Sequence, residues 1–131
     1  MIKKALIRHQ HLYTKEASIL YEGDLVYNIY DDYEEFLYQD EENARVQVLL
    51  YEDSICIIRQ GEVQSTLTFE AKKTTKNCIK SVYGDMSINI YTHFYHRNKN
   101  IIELVYDVSD AAEKEGFHII FELKEDAYEY H

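Results

Sequence analysis

Residues 55–69 read Ile-Cys-Ile-Ile-Arg-Gln-Gly-Glu-Val-Gln-Ser-Thr-Leu-Thr-Phe, and this stretch decides the fold. Its second half alternates between two kinds of side chain, as a strand with one buried and one solvated face does. The expected inner positions are Val63, Ser65, Leu67 and Phe69. Gly61 separates this run from an apolar one, and glycine can adopt the positive φ that tight hairpin turns require. The stretch therefore predicts a β-hairpin. Arg59 lies next to its turn, on the same face of the first strand as Ile55 and Ile57.

Length and composition indicate one domain spanning residues 1–131, large enough to bury a single core. The net charge of -10 argues against nucleic acid and against an anionic membrane surface as partners. No apolar run is long enough for a secretory signal or a membrane span, so we expect a cytoplasmic location. Cys56 and Cys78 are then expected to be free thiols, with a disulfide between them as the lesser alternative.

The two-residue period recurs along most of the chain and predicts eight to ten strands joined by short turns. Gly23 falls inside the extended run 16–29 and fits either a hairpin turn or a bend; we favour the bend because the alternation resumes at Leu25. Residues 109–116 form at most a short helical turn, and the tail 125–131 should be frayed. Since no long crossover helix is available, we predict an all-β fold of antiparallel strands, which either closes into a single antiparallel up-and-down β-barrel or folds into two packed sheets.

Two segments resemble a known family. They are residues 59–69, quoted above, and residues 81–84, Ser-Val-Tyr-Gly, followed by alternation through Thr92. Together they resemble the YwiB-like family of uncharacterised bacterial proteins, found mostly in Firmicutes. Family members usually have Thr-Pro-Tyr-Gly at the second segment, so the missing proline leaves the turn less rigid here. The resemblance implies a calycin-like, lipocalin-like barrel, and it implies no activity because the family has none established.

Arg59 is the first candidate for a ligand contact. If the odd positions of 55–59 face inward, its guanidinium enters an apolar interior and needs an anionic or carbonyl partner there. Ser65, Tyr83 and Thr92 could add polar groups to the same interior. These four residues are therefore the predicted ligand-binding set, with Arg59 gripping an anionic head group. The favoured alternative is structural: Arg59 closes one barrel end by bonding to an acidic side chain or to backbone carbonyls.

The histidines and the recognisable motifs give no further site. A strand would point His93 and His96 to opposite faces, and His9 with His11 supplies only two ligands, a poor set for zinc. There is no glycine-rich phosphate loop and no nucleophile elbow. We therefore expect no catalytic residues, no metal and no cofactor.

Two functions from different classes fit this sequence. The first is a binding module whose barrel holds a small apolar or anionic ligand. The second is a protein-interaction module, or a homodimer, that uses an acidic, tyrosine-rich outer face. The acidic part of that face is the stretch 22–42, which has no Lys or Arg, and its tyrosines would be Tyr91, Tyr95 and Tyr106. We favour the binding module, and we favour either of them over an enzyme.

Overall fold

The computed structural model describes residues 1–109 and 112–124, and every regular element in them is a β-strand. The ten strands are β1 (Ile2–His11), β2 (Ala17–Ile29), β3 (Glu34–Gln39), β4 (Arg45–Leu50), β5 (Ser54–Gln60), β6 (Gln64–Glu70), β7 (Thr74–Ser81), β8 (Gly84–Arg97), β9 (Ile101–Val108) and β10 (Glu115–Lys124). Each strand pairs antiparallel with the next along the chain, and β10 pairs with β1 to close the cylinder. The predicted antiparallel up-and-down barrel is confirmed, at the upper end of the predicted strand number.

Apolar side chains from the inner faces of the strands fill the barrel. The largest fully buried ones include Phe36, Phe69 and Phe121. The rings of Phe36 and Phe121 lie 6.4 Å apart between centroids, and those of Phe69 and Tyr106 lie 4.8 Å apart. Because this packing occupies the middle of the barrel, room for a ligand has to be sought at the barrel ends.

The β5–β6 hairpin forms as predicted, with Arg59 paired to Ser65 across the two strands. Two details differ from expectation. Val63 lies in the connecting turn and is exposed, so the inner face of β6 begins at Ser65. Gly61 does not take a positive φ. It is needed for space, because an added Cβ would lie 2.9 Å from the Cβ of the buried Ala44, on the neighbouring β3–β4 turn.

Gly23 lies within one continuous β2, as predicted, and has a φ of +156°. The Tyr21 side chain lies over it and donates a hydrogen bond to the carbonyl of Asp24. An added Cβ at Gly23 would lie 2.9 Å from the Tyr21 hydroxyl oxygen. The register with β1 shifts earlier in the strand, at Leu20, so the irregularity of the pairing and the glycine are separate features.

The pairing of β6 with β7 is short and is completed by side chains. Backbone pairing joins Gln64–Thr66 to Cys78–Lys80. Beyond it, the Asn77 Oδ1 accepts a hydrogen bond from the Thr68 N–H at 2.7 Å, and its Nδ2 donates to the Thr75 carbonyl at 3.3 Å. The Thr75 hydroxyl donates to the Thr68 carbonyl. Asn77, Thr75 and Thr68, here called the Asn77 seam, therefore replace the missing backbone ladder.

The ends of two elements remain to be described. β7 begins at Thr74, because its first residues pair with β8. The helical turn expected at 109–116 is absent from the described part of that segment: Ser109 is in a turn and Gly116 belongs to β10. Residues 110 and 111, like the tail 125–131, lie outside the described residues. No helix within 1–109 and 112–124 could span a membrane.

Candidate functional site at the barrel ends

Arg59 closes one end of the barrel, here called the Arg59 end, where the β3–β4 and β5–β6 turns lie. Its Nε donates to the Asp40 Oδ2 at 2.9 Å, and its Nη2 donates to the Glu42 Oε2 at 2.8 Å. The other oxygen of Asp40 accepts the N–H groups of Glu42 and Ala44, each at 3.0 Å. Arg59 thus has the acidic partners that the structural alternative required, and they hold the β3–β4 turn in place.

Electrostatics at the Arg59 end favour the charged pair. Burial alone would raise the pKa of Asp40, but hydrogen bonds from Arg59 and from backbone N–H groups outweigh it and lower that pKa below its ordinary value. The hydrogen bond from Arg59 to Asp40 raises the pKa of the guanidinium in turn. Beneath the pair, the rings of Tyr38 and Tyr21 stack at 4.4 Å, and burial raises the pKa of Tyr38. This end is closed by a salt bridge over an aromatic layer.

The four predicted ligand-binding residues do not come together in one place. Arg59 and Ser65 are cross-strand partners at the Arg59 end. Tyr83 is 98% exposed in the β7–β8 turn, outside the interior in which it was expected. Thr92 is fully buried and its backbone bonds to Lys72 and Lys73. Among the described residues, its Oγ1 has no hydrogen-bond partner. The ligand-binding role of these residues stays a prediction.

The opposite end, here called the Arg97 end, is open to solvent. A cleft of about 330 Å³ lies there, beside the β8–β9 turn. Its floor consists of core side chains from the top of the barrel interior, namely Phe36, Leu50, Ile102 and Leu123. Its polar wall is formed by Tyr27, Glu34, Arg97, Asn98 and Lys99. The cleft therefore places cationic groups directly above a packed apolar layer, whose side chains are at most 6% exposed.

The polar wall of the cleft is a small hydrogen-bonded network. The Arg97 Nη1 donates to the Glu34 Oε2 at 3.0 Å, and the Tyr27 hydroxyl donates to the Glu34 Oε1. The Lys3 ammonium lies 5.2 Å from the centre of the Tyr27 ring. Of the charged side chains that line the cleft, the cationic Arg97 and Lys99 outnumber the acidic Glu34, although the chain as a whole is strongly acidic. Such a wall suits the binding of an anion.

Sequence reasoning missed Arg97 because of a β-bulge. The pairing of β8 with β9 shifts register between Thr92 and Phe94, so His93 is an extra residue on β8. Before the bulge the even positions face inward; after it, Phe94 is exposed, while Tyr95 packs on the core and Arg97 reaches the cleft. Uninterrupted alternation would have placed Arg97 outside. The polar residues of β8 gave no clear signal of this bulge in the sequence.

The acidic, tyrosine-rich outer face is smaller than expected. Tyr106 is buried in the hydrophobic core, and Tyr95 packs against that core. The expectation that both tyrosines lie on the outer face of the barrel is therefore wrong. Glu35 is only 7% exposed and accepts hydrogen bonds from the side-chain amides of Asn28 and Gln47. The bond from Asn28 lowers the pKa of Glu35 despite its burial. Its carboxylate is thus held by neighbours within the chain.

Three of the histidines weighed as metal ligands, His9, His11 and His93, have local partners. His93, at the bulge, has its Nε2 2.6 Å from the Asp107 Oδ2, and Asp107 also accepts from the Tyr13 hydroxyl at 3.0 Å. The ring of His9 stacks on Phe117 at 4.6 Å. His11 Nδ1 accepts backbone N–H groups of its own turn. Within the residues that the structure describes, no cluster of three or more His, Cys, Asp or Glu side chains could hold a metal ion.

Comparison with known proteins gives a family and a fold. A family model described as Domain of unknown function (DUF1934) matches residues 8–121. The crystal structure of the YwiB protein from Bacillus subtilis is similar, with a TM-score of 0.76 and 13% sequence identity over 95% of this chain and 92% of that chain. At this identity the likeness shows the fold alone. No curated protein matches the chain. The resemblance to YwiB-like proteins inferred from the sequence is confirmed.

Proposed function

The chain belongs to the family described as Domain of unknown function (DUF1934), and from its barrel ends we propose that it is a binding protein for a small ligand with an apolar body and an anionic group. The ligand lies in the cleft at the Arg97 end, with Arg97 as its polar anchor. Arg59, the anchor predicted from the sequence, is less suited because two carboxylates, those of Asp40 and Glu42, bond to its guanidinium, whereas Arg97 has one, that of Glu34. The free thiols of Cys56 and Cys78 support a cytoplasmic location.

The observation that carries the proposal is that one cleft combines cationic groups with a packed apolar layer directly beneath them. Arg97 and Lys99 stand over core side chains, so a ligand can place its apolar part on the floor and its anionic group against the wall. The volume of about 330 Å³ falls within the range of small-molecule sites. The rest of the barrel supplies rigid strands that hold these groups, as a preorganised site requires.

A fluorescent probe with this chemistry tests the proposal. Anilinonaphthalene sulfonate is apolar and anionic, and its emission rises when it leaves water. We expect saturable binding to the wild-type protein and binding weakened by about tenfold or more in Arg97→Gln, because the charged hydrogen bond is lost. Arg45→Gln, at an exposed arginine on β4, is the matched control and should bind as wild type does. Equal affinity in Arg97→Gln and wild type would rule out this cleft.

The alternative function, a protein-interaction module, is supported by one surface feature. Tyr30 is exposed, and its ring stacks on that of Tyr33 at 4.8 Å, next to Asp31 and Asp32 in the β2–β3 turn. Exposed aromatic rings with flanking charge are common in interfaces. Charge reversal at Asp31 and Asp32 should abolish recovery of a partner in a pulldown. Unchanged recovery of the partner would rule out this face as its binding surface.

A further inference from the structure

The Arg97 end already contains a bound carboxylate, which belongs to the protein itself. Glu34 places one carboxylate oxygen 3.0 Å from the Arg97 Nη1 and receives the Tyr27 hydroxyl on the other. All three side chains line the cleft, and both members of the ion pair are about one-third exposed, 28% for Arg97 and 30% for Glu34. Water therefore reaches the pair, and its net contribution to stability is small.

We infer that Glu34 is a built-in competitor for the anionic group of the ligand, and that this group is a carboxylate. This inference rests on the proposed function and names the ligand class of the same cleft. Glu34 shows that Arg97 and the Tyr27 hydroxyl together accommodate a planar group with two oxygens. A ligand carboxylate can replace that of Glu34, because its two oxygens can accept the same hydrogen bonds from Arg97 and the Tyr27 hydroxyl.

The charge of the cleft favours a carboxylate over a phosphate monoester. Once Glu34 is displaced, its own negative charge remains on the wall of the cleft. Arg97 and Lys99 then balance Glu34 and one further negative charge, which a carboxylate supplies. A phosphate monoester carries close to two charges at neutral pH and would leave an excess of negative charge in the site. The packed apolar layer beneath the wall favours a hydrocarbon chain over a polar one on the other side of the carboxylate.

Competition by Glu34 has a consequence that a purely supporting role would not have. Only molecules in which Glu34 has left Arg97 can bind the ligand, so the observed affinity falls by the fraction that is free. Removing the charge of Glu34 should therefore strengthen binding, whereas removing a residue that merely shapes the site should weaken it. Glu34→Gln keeps the size of the side chain and most of its packing.

The experiment is calorimetric titration of wild type, Glu34→Gln and Asp32→Asn with octanoate, octyl phosphate and octanol. Asp32→Asn removes one negative charge from an exposed turn at the same end and controls for the general change in charge. We expect octanoate to bind Glu34→Gln about fivefold more tightly than wild type, with less than about a twofold change in Asp32→Asn. Octanol should bind all three proteins equally and more weakly.

The outcomes separate the two proposals. If octanoate binds wild type but gains nothing in Glu34→Gln, or if octyl phosphate shows the larger gain, this inference is wrong and the binding function stands. If none of the three probes binds any of the proteins, the proposed function itself is wrong. Glu34→Ala serves as a second variant, expected to show the same gain, in case the glutamine retains a strong bond to Arg97.

Discussion

Replacing Asn77 with alanine tests whether side chains really complete the barrel between β6 and β7. Asn77 is almost fully buried, at 6% exposure, and lies where the backbone ladder between these strands has ended. Its Oδ1 is the acceptor for the Thr68 N–H at 2.7 Å, and its Nδ2 bonds to the Thr75 carbonyl and hydroxyl. Alanine removes the acceptor and leaves a backbone donor of β6 without a partner inside the barrel wall.

The expected cost follows from the kind of bond that is lost. A buried backbone group left without a partner costs about 1–3 kcal/mol, whereas the weaker bonds from Nδ2 add less because they are longer, at 3.3 and 3.2 Å. We therefore expect Asn77→Ala to lower the free energy of unfolding by about 2 kcal/mol. For a domain of this size that corresponds to a fall in Tm of about 6–10 °C.

Urea unfolding followed by circular dichroism measures this change as a lower midpoint with an unchanged slope. Native-state hydrogen exchange adds a local measurement, because the Thr68 amide should lose protection in Asn77→Ala. Lys76→Ala is the matched control: its side chain is exposed on the same strand, and its replacement should change stability by less than about 0.5 kcal/mol. A change in Asn77→Ala as small as in this control would refute the role assigned to the Asn77 seam.

Two further variants test the Arg59 end and the glycine in β2. The pKa of Asp40 is lowered in the folded state, so the stability it contributes is present above its unfolded value of about 3.9 and is lost as pH falls through the lower folded value. Arg59→Gln should therefore destabilise the protein more at pH 7 than at pH 3, as about a 1 kcal/mol difference in urea unfolding; an equal effect at both pH values would contradict the pairing. Gly23→Ala should cost about 1–2 kcal/mol in the same urea assay, because the added Cβ meets the Tyr21 hydroxyl and displaces it from the Asp24 carbonyl; an unchanged midpoint would contradict this role of the glycine.

Much of the fold could be predicted from the sequence because its information is local. The alternation at Ser65, Leu67 and Phe69 fixes one buried face, and the same period in other stretches predicts strands close to those observed. The lack of a crossover helix then requires antiparallel neighbours. Gly23 could be placed in a continuous strand because the alternation resumes directly after it. An acidic partner for Arg59 could likewise be expected from the sequence. That this partner is Asp40 could not be predicted.

The candidate site could not be found in the same way. The face on which Arg97 lies depends on the bulge at His93, and that bulge is set by how β8 pairs with β9. One inserted residue reverses the direction of every side chain that follows it, so an error at a single position changes Tyr95 from an outer residue to an inner one. Tyr83 was similarly misplaced, because a turn tip can point away from the barrel whatever its composition.

The sequence by itself determined that this chain forms strands, that they pair antiparallel and that each buries one apolar face. These properties follow from two-residue periodicity and from connections too short to cross the sheet. Only the tertiary structure decided which end is closed by Arg59 and Asp40, and which end leaves Arg97 and Glu34 beside an open cleft. The reason is physical: pairing between distant strands sets the register, and the register decides which charged side chains meet at each end of the barrel.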